Sequence, residues 1–174
     1  MTKRTRITLV VACWTVAVLV LCGCKSSPGH KKAMSEAEAN YLRARSNMLL
    51  QMAQQEFDTG DLDQATRHIK DALGADSRNG SLWVLSGRIA LEKGQLERAF
   101  RRLHMAIELD DQLADAHYYQ AVVLERWQRH ENALEEYQSA YDLVRDNPYY
   151  LLAISEMLVT SSGRMKRWPC SRTS

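Results

Sequence analysis

Apolar and polar positions divide this chain into parts of different character. Residues 7–22 carry almost no polar side chain, whereas residues 25–34 are polar, contain Pro and Gly, and show no apolar periodicity. The chain has 174 residues but only eight Gly and three Pro, and so few turn-forming residues favour helices over a turn-rich β fold. We therefore predict an apolar leader, a flexible tether and one helical domain that begins at Ser35, where Glu38 completes a capping box.

Within the helical domain, four sets of positions recur every 34 residues. Three sets contain only Ala or Gly, which let two helices approach closely, and the fourth contains large side chains that fill the gap to the next copy. The sets are Ala53, Gly87 and Ala121; Ala65, Ala99 and Ala133; Ala72, Ala106 and Ala140; and Ile69, Leu103 and Tyr137. The predicted helix pairs are 46–58 with 61–75, 80–93 with 95–109, and 114–127 with 130–145.

This pattern resembles the tetratricopeptide repeat, a helix pair of 34 residues. The second copy carries the resemblance best, through Trp83, Gly87, Ala99, Leu103 and Ala106. The resemblance implies an all-α fold, an α-solenoid of helix pairs within residues 35–160. Its repeats would lie at about 46–79, 80–113 and 114–147, with a partial fourth at 148–160. One copy cannot bury its own apolar face, so stability depends on contacts between neighbouring copies.

Two departures from the pattern affect the prediction. Gly60 and Gly94 stand where a helix ends in a left-handed residue, but Gln128 occupies that place in the third copy, so the turn there is less clearly specified. The fourth copy lacks a second helix, and Arg167 replaces the expected Ala. We interpret residues 161–174 as a basic irregular tail. It is either a truncated or frame-shifted end, or a native tail that packs back as a cap.

The N-terminus has the layout of a secretory signal, because Lys3, Arg4 and Arg6 precede the apolar run. The sequence at 21–24, Leu-Cys-Gly-Cys, resembles a bacterial lipobox. This resemblance implies that residues 1–23 are a removable signal peptide, that Cys24 carries acyl chains such as palmitate, and that residues 24–34 form the lipidated Cys and its tether. By the same resemblance, Lys25 instead of Asp favours the outer membrane, facing the periplasm. The alternative is an uncleaved signal anchor.

Charge and candidate chemistry exclude several function classes. Residues 35–163 contain 13 basic and 21 acidic residues, so the folded domain is acidic and we expect no nucleic-acid partner. The five His residues show no metal-ligand spacing, and no nucleophile elbow or phosphate-binding Gly loop is present. We therefore predict a protein that is not an enzyme and has no catalytic residues, metal or cofactor.

The tetratricopeptide resemblance implies a concave groove lined by the first helix of each copy. Placing the sequence on that pattern gives a peptide groove formed by Leu50, Gln54, Phe57, Val84, Arg88, Leu91, Tyr118, Val122 and Leu152. The row of Leu50, Val84, Tyr118 and Leu152 is apolar throughout, which suits a hydrophobic peptide or an amphipathic helix and not a clamp for a terminal carboxylate. The alternative interpretation is that these side chains only pack helix against helix.

Together these observations predict a membrane-tethered interaction scaffold of the bacterial cell envelope, with a protein partner and a lipid anchor. It resembles small tetratricopeptide lipoproteins of the envelope. The pilotin-type lipoproteins that escort a secretin are among them, which points to pilus or secretin assembly. The alternative is an accessory or docking subunit for a cell-wall or export enzyme. Because one fold serves many functions, the repeat alone does not decide between the two.

Overall fold

The computed structural model describes the backbone of residues 28–165 and the side chains of residues 32–160. Every regular element in this part of the chain is a helix. The helices are α1 (Pro28–Thr59), α2 (Leu62–Ala75), α3 (Gly80–Glu92), α4 (Leu96–Leu109), α5 (Ala114–Arg126), α6 (His130–Leu143) and α7 (Pro148–Met165). The predicted all-α class is confirmed. The predicted signal peptide, the predicted lipidation site Cys24 and the last nine residues of the predicted tail lie outside the described residues.

The described residues fall into two units that divide between Tyr41 and Leu42. In the first unit, α1 begins at Pro28, so residues 28–34 are helical and not the irregular tether that we predicted. Pro suits the first helical position because its fixed φ already matches the helix. Ala33 and Met34 are strong helix formers. No helix within residues 28–165 is long and apolar enough to cross a bilayer.

The capping box predicted at Ser35 is also wrong. Ser35 lies inside α1, and its hydroxyl donates to the backbone carbonyl of Lys32 at 2.8 Å. Inside a helix, a Ser hydroxyl that bonds back to the preceding turn is an alternative to capping. The side chains from Lys32 to Tyr41 are all exposed.

In the second unit, neighbouring helices pack in the pairs that the period predicts. The Ala residues of the three small sets are all 0% exposed, and Ile69, Leu103 and Tyr137 are at most 2% exposed. At Gly87 the two helices are so close that an added Cβ would lie 2.5 Å from the Cγ of Leu103. Beyond the pairs, α4 packs on α5, α2 packs on α3, and α3 also contacts α5. Each repeat therefore packs on its neighbour, as the solenoid prediction requires.

The turns inside the three helix pairs have the same backbone geometry. Gly60 and Gly94 have φ values of 85° and 71°, and Gln128 has φ 61°. The bond from Gln128 N to Glu125 O, at 2.8 Å, repeats the bond from Gly94 N to Leu91 O, at 3.0 Å. Gln128 therefore adopts the left-handed conformation that Gly normally supplies, and the uncertainty about this turn is resolved.

The last helix is longer than predicted. Asn147 caps α7 by accepting a bond from the Tyr149 amide at 3.0 Å, which confirms the predicted start. The helix continues to Met165, so residues 161–165 are not irregular. On its inner side Ile154 is buried, whereas Leu151 is 53% exposed. Within the described residues no helix follows α7, so this outer side has no equivalent of the second helix of a pair.

Candidate peptide groove between α1, α3 and α5

A cavity of about 630 Å³ opens between the first helices of the three pairs. The lining comes from α1, α3, the turn before α5 and the first turn of α5. It is formed by Leu50, Gln51, Gln54, Gln55, Asp58, Thr59, Ser81, Val84, Leu85, Arg88, Leu113 and Asp115. Four of the nine predicted groove residues, namely Leu50, Gln54, Val84 and Arg88, line it. Its volume lies in the range of ordinary ligand pockets.

The floor of the cavity is apolar and held in place by the core. Val84 is 7% exposed and packs with Ala106 and Ala116, while Leu85 is 3% exposed and belongs to the cluster between α1, α2 and α3. Side chains packed on several sides cannot easily leave their rotamers. The floor is therefore rigid, and Leu50 at its edge is half-buried and also packs on that core.

Arg88 is the most constrained charged group in the groove. Its guanidinium lies 4.6 Å from the centre of the Phe57 ring and 4.9 Å from the centre of the Tyr119 ring. Its Nη1 donates to Gln54 Oε1 at 3.3 Å, and its buried Nε has no hydrogen-bond partner. Contact with two aromatic faces stabilises the cation and fixes its direction. The orientation of the guanidinium in the groove is therefore fixed before a ligand binds, and some of its N–H groups remain free to donate to that ligand.

Two carboxylates give the groove a local negative charge. Asp58 accepts from Gln54 Nε2 at 2.8 Å, and Asp115 accepts from the Tyr150 hydroxyl at 2.8 Å. Both carboxylates belong to exposed residues. The groove thus combines an apolar floor, one fixed guanidinium and two acidic groups among its described lining residues.

Five predicted groove residues lie outside this cavity. Phe57 sits beneath Arg88 and supports it from the core side. Leu91 is a correction to our prediction, because it is 4% exposed and packs with Ala99 of its own pair. Leu91 lies seven residues after Val84, on nearly the same face of α3, and it is buried there because Ala99, Leu103 and Val123 of the neighbouring helices cover it.

The remaining three residues lie further along the array. Tyr118 and Val122 on α5 are half-buried against the core formed with α6 and α7. Leu152 on α7 is 54% exposed and lies apart from the cavity lining. Tyr118 and Val122 therefore pack helix against helix, which is the alternative interpretation that we gave for the predicted groove residues.

Tyr118 is the centre of an aromatic cluster. Its ring centroid lies 5.2 Å from Tyr119, 5.5 Å from Tyr137 and 5.2 Å from Tyr150. Burial raises the pKa of Tyr137 and Tyr150 well above the usual value, and the hydrogen bonds to Glu125 and Asp115 raise it further. Both hydroxyls therefore remain protonated and act as fixed donors that hold those carboxylates.

Sequence reasoning missed part of the groove lining. The repeat pattern also places Ser81 and Asp115 on the groove, and both line the cavity; the missed residues are Gln51, Gln55, Asp58, Thr59, Leu85 and Leu113. The steps of four residues from Gln51 to Gln55 and Thr59 place them on one face of α1, a signal that was present in the sequence. The position of Leu113, in the turn before α5, had no such signal, because it reaches the cavity only when the third repeat stacks on the second.

Two half-buried His residues, His117 and His68, each lie beside a Glu carboxylate. The Nδ1 of His117 lies 2.7 Å from Glu136 Oε2, and this hydrogen bond raises the pKa of His117 above its usual value. The Nδ1 of His68 lies 2.9 Å from Glu56 Oε2. Within the described residues, no group of three or more His, Cys, Asp or Glu side chains could hold a metal ion.

Comparisons with known proteins agree with this architecture. The chain is similar in fold to the first TPR domain of Spaghetti (RPAP3) bound to the HSP90 peptide SRMEEVD, with TM-score 0.65, 16% identity, and coverage of 69% of this chain and 95% of that chain. It is similar to the Arabidopsis OM64 TPR domain, with TM-score 0.63, 15% identity, and coverage of 67% and 96%. It is also similar to MamA, with TM-score 0.61, 19% identity, and coverage of 80% and 87%.

A search of curated proteins finds no match. At the level of sequence, the family model described as Tetratricopeptide repeat matches residues 50–112 and 94–148. These matches cover more than half of the chain, from the second half of α1 to the start of α7. The chain therefore belongs to the tetratricopeptide repeat family.

Proposed function

We propose that this protein is a non-enzymatic interaction scaffold that binds an apolar peptide or an amphipathic helix in the groove between α1, α3 and α5. The observation that carries the proposal is the cavity of about 630 Å³ with a buried apolar floor and a preoriented guanidinium. A floor that is already ordered lowers the entropic cost of binding. Apolar ligand side chains would rest on Val84 and Leu85, and a backbone carbonyl of the ligand would accept from Arg88.

The groove charge sets a limit on the ligand. The RPAP3 domain is bound to SRMEEVD, a peptide with three acidic side chains and an acidic C-terminus. In this chain Asp58 and Asp115 line the groove, and like charges would repel such a peptide. We therefore propose a ligand without a cluster of acidic residues, and no clamp for a terminal carboxylate.

The position of the scaffold in the cell is a separate part of the proposal. The lipobox resemblance at Cys24 supports a lipid-anchored protein of the bacterial envelope, at the outer membrane, and the basic residues Lys25, Lys31 and Lys32 suit a segment next to anionic head groups. Labelling of the full chain with palmitate in a bacterial host tests the anchor. We expect that Cys24→Ala loses the label, and equal labelling of the variant and the unchanged chain would contradict the anchor.

The most specific part of the proposed function is the envelope pathway in which the protein acts. We propose pilus or secretin assembly, on the ground that the sequence resembles small tetratricopeptide lipoproteins of the envelope, a group that includes the pilotin type. Gene neighbourhood distinguishes this role from the alternative, a docking subunit for a cell-wall or export enzyme. Neighbouring pilus or secretin genes support the first role, and neighbouring hydrolase or synthase genes support the second.

The groove itself is tested with peptides. Peptides selected from a random display library on the full chain in mild detergent are synthesised, and their affinity is measured by titration calorimetry beside SRMEEVD. Ser81→Trp and Gln55→Trp fill the groove from exposed positions and leave the core intact. Arg101→Trp places the same bulk at an exposed position of α4 outside the groove and serves as the matched control.

We expect apolar selected peptides whose affinity falls at least about tenfold in both groove variants, which corresponds to about 1.4 kcal/mol. Binding in the Arg101→Trp control should remain unchanged. Equal affinity in all variants would refute the groove, and it would support the alternative that these side chains serve packing only. Binding of SRMEEVD as tight as that of the selected peptides would refute the charge argument.

A further inference from the structure

We propose that a second, smaller cavity between α2, α3 and α4 binds a phosphate group. The cavity has a volume of about 70 Å³ and shares no lining residue with the peptide groove. Three helices contribute to it. Its polar lining consists of Thr66, Ser86, Lys93, Gln95, Arg98 and Arg102. Three cations, two hydroxyl groups and an amide thus meet around one small volume.

Hydrogen bonds within the lining fix several of these groups. Lys93 Nζ donates to Thr66 Oγ1 at 3.1 Å, and Arg98 Nη1 donates to Gln95 Oε1 at 2.9 Å. Arg102 donates to the Ser86 hydroxyl. Each cation is therefore held at the edge of the cavity by a neutral partner, and its other N–H groups remain for a ligand.

The local charge is not balanced. Asp63 lies 2.8 Å from Lys93 and neutralises that ammonium group. Among the described residues, however, no carboxylate lies within ion-pair distance of Arg98 or Arg102. Burial lowers the pKa of Arg102, and repulsion from Arg98 lowers it further. Two guanidinium groups without counter-charge stand together in a domain that is acidic overall, and a bound anion would relieve their repulsion.

The start of α4 adds donors to the same place. Its N-cap residue, Gln95, makes no side-chain hydrogen bond to the helix, and of the first amides that of Leu96 donates to the Gly94 carbonyl at 3.1 Å. Gln95 itself lines the cavity. A helix start favours negative charge through its dipole and its open N–H groups. The cations and the helix start therefore favour the same kind of ligand.

Size and geometry select the ligand. A single water needs roughly 10–15 Å³ of such space, so the cavity holds one tetrahedral oxyanion and not a nucleotide. The guanidinium fork matches two oxygens of a phosphate. The ligand is thus a phosphate group, either as free inorganic phosphate or as the end of a small phosphomonoester.

The test titrates the full chain in mild detergent with inorganic phosphate and, separately, with glycerol 3-phosphate, against chloride at equal ionic strength. Calorimetry and the ³¹P line width of the ligand report binding. Arg98→Gln and Arg102→Gln each remove one free guanidinium. Arg101→Gln is the matched control, because Arg101 is an exposed neighbour on α4 that pairs with Glu97 at 3.7 Å and does not line the cavity. Circular dichroism verifies that each variant is folded. If Arg102→Gln does not fold, the binding measured for Arg98→Gln still tests the proposal.

We expect saturable binding of phosphate, at least about tenfold weaker in Arg98→Gln and Arg102→Gln and unchanged in Arg101→Gln. Binding of inorganic phosphate alone would identify the free ion, and binding of glycerol 3-phosphate alone would identify a monoester. Absence of saturable binding, an equal effect of chloride, or an equal loss in Arg101→Gln would overturn the proposal.

Discussion

Gln128 offers a direct test of how the repeat period determines the backbone. It is exposed and has φ 61°, whereas Gly60 and Gly94 occupy the equivalent turns with φ 85° and 71°. At Gly60 and Gly94 an added Cβ would meet no atom within 4 Å, so the preference for Gly there concerns the backbone and not space. Gln128→Gly should therefore stabilise the domain.

The magnitude follows from two opposing terms. A left-handed backbone costs an ordinary L-residue roughly 1–2 kcal/mol. Gly loses more conformational freedom on folding, which costs roughly 0.5–1 kcal/mol. The difference predicts that the free energy of unfolding rises by about 0.5–1 kcal/mol in Gln128→Gly. For a domain of this size, such a gain raises the melting midpoint by about 2–4 °C.

Far-UV circular dichroism during heating of the full chain in mild detergent measures this shift. Gly94→Gln is the reverse substitution and should lower the midpoint by a similar amount. Gln138→Gly is the matched control, because Gln138 is an exposed residue inside α6 and Gly there should destabilise by about 1 kcal/mol. A fall in the midpoint for Gln128→Gly, or equal effects of Gly at positions 128 and 138, would refute the reasoning.

Three further predictions follow from the packing and from one ion pair. Gly87→Ala should destabilise the fold by about 1–3 kcal/mol, despite its better helix propensity, because the new Cβ would lie 2.5 Å from Leu103 Cγ; denaturant unfolding measures this, and a gain in stability would contradict the close approach. Ile69→Ala should cost about 2–5 kcal/mol in the same assay, since Ile69 is 2% exposed, and a loss below about 1 kcal/mol would show that the interface is loose. The pKa of His117 is raised by Glu136, so its contribution to stability is complete below the unfolded value of 6.5 and is lost as pH rises through the raised folded pKa. Melting midpoints from about pH 5.5 to about pH 8.5 should show this loss in the unchanged chain and a flatter profile in Glu136→Gln, and identical profiles would exclude the pair as the cause.

The helix pairs could be predicted because their interfaces repeat. Ala65, Ala99 and Ala133 recur at the period of the fold, and each is fully buried, since each pair needs a small residue at the same crossing point. The two ends of the helical domain were predicted less accurately. The helix around Ser35 and the end of α7 have no repeated partner, so local capping patterns were the only guide and gave wrong boundaries.

The candidate groove was predicted in part for a related reason. Leu50 and Val84 follow the repeat register and line the cavity as expected. Leu91 follows the same register two turns after Val84, and only the packed structure shows that the neighbouring helices bury it. Leu113 enters the groove from a turn, where no period applies.

The sequence by itself determined the class, the period and the positions of the small and large core residues, because steric fit between adjacent helices demands the same volumes in every copy. Only the tertiary structure decided which polar side chains meet across helices. Arg88 meets Phe57 and Tyr119 from two other helices, and Arg98 and Arg102 of α4 meet Thr66 of α2 and Ser86 of α3; the spacing of these residues carries no repeat. These groups occur once each, so periodicity cannot predict them, although they determine the chemistry of both cavities.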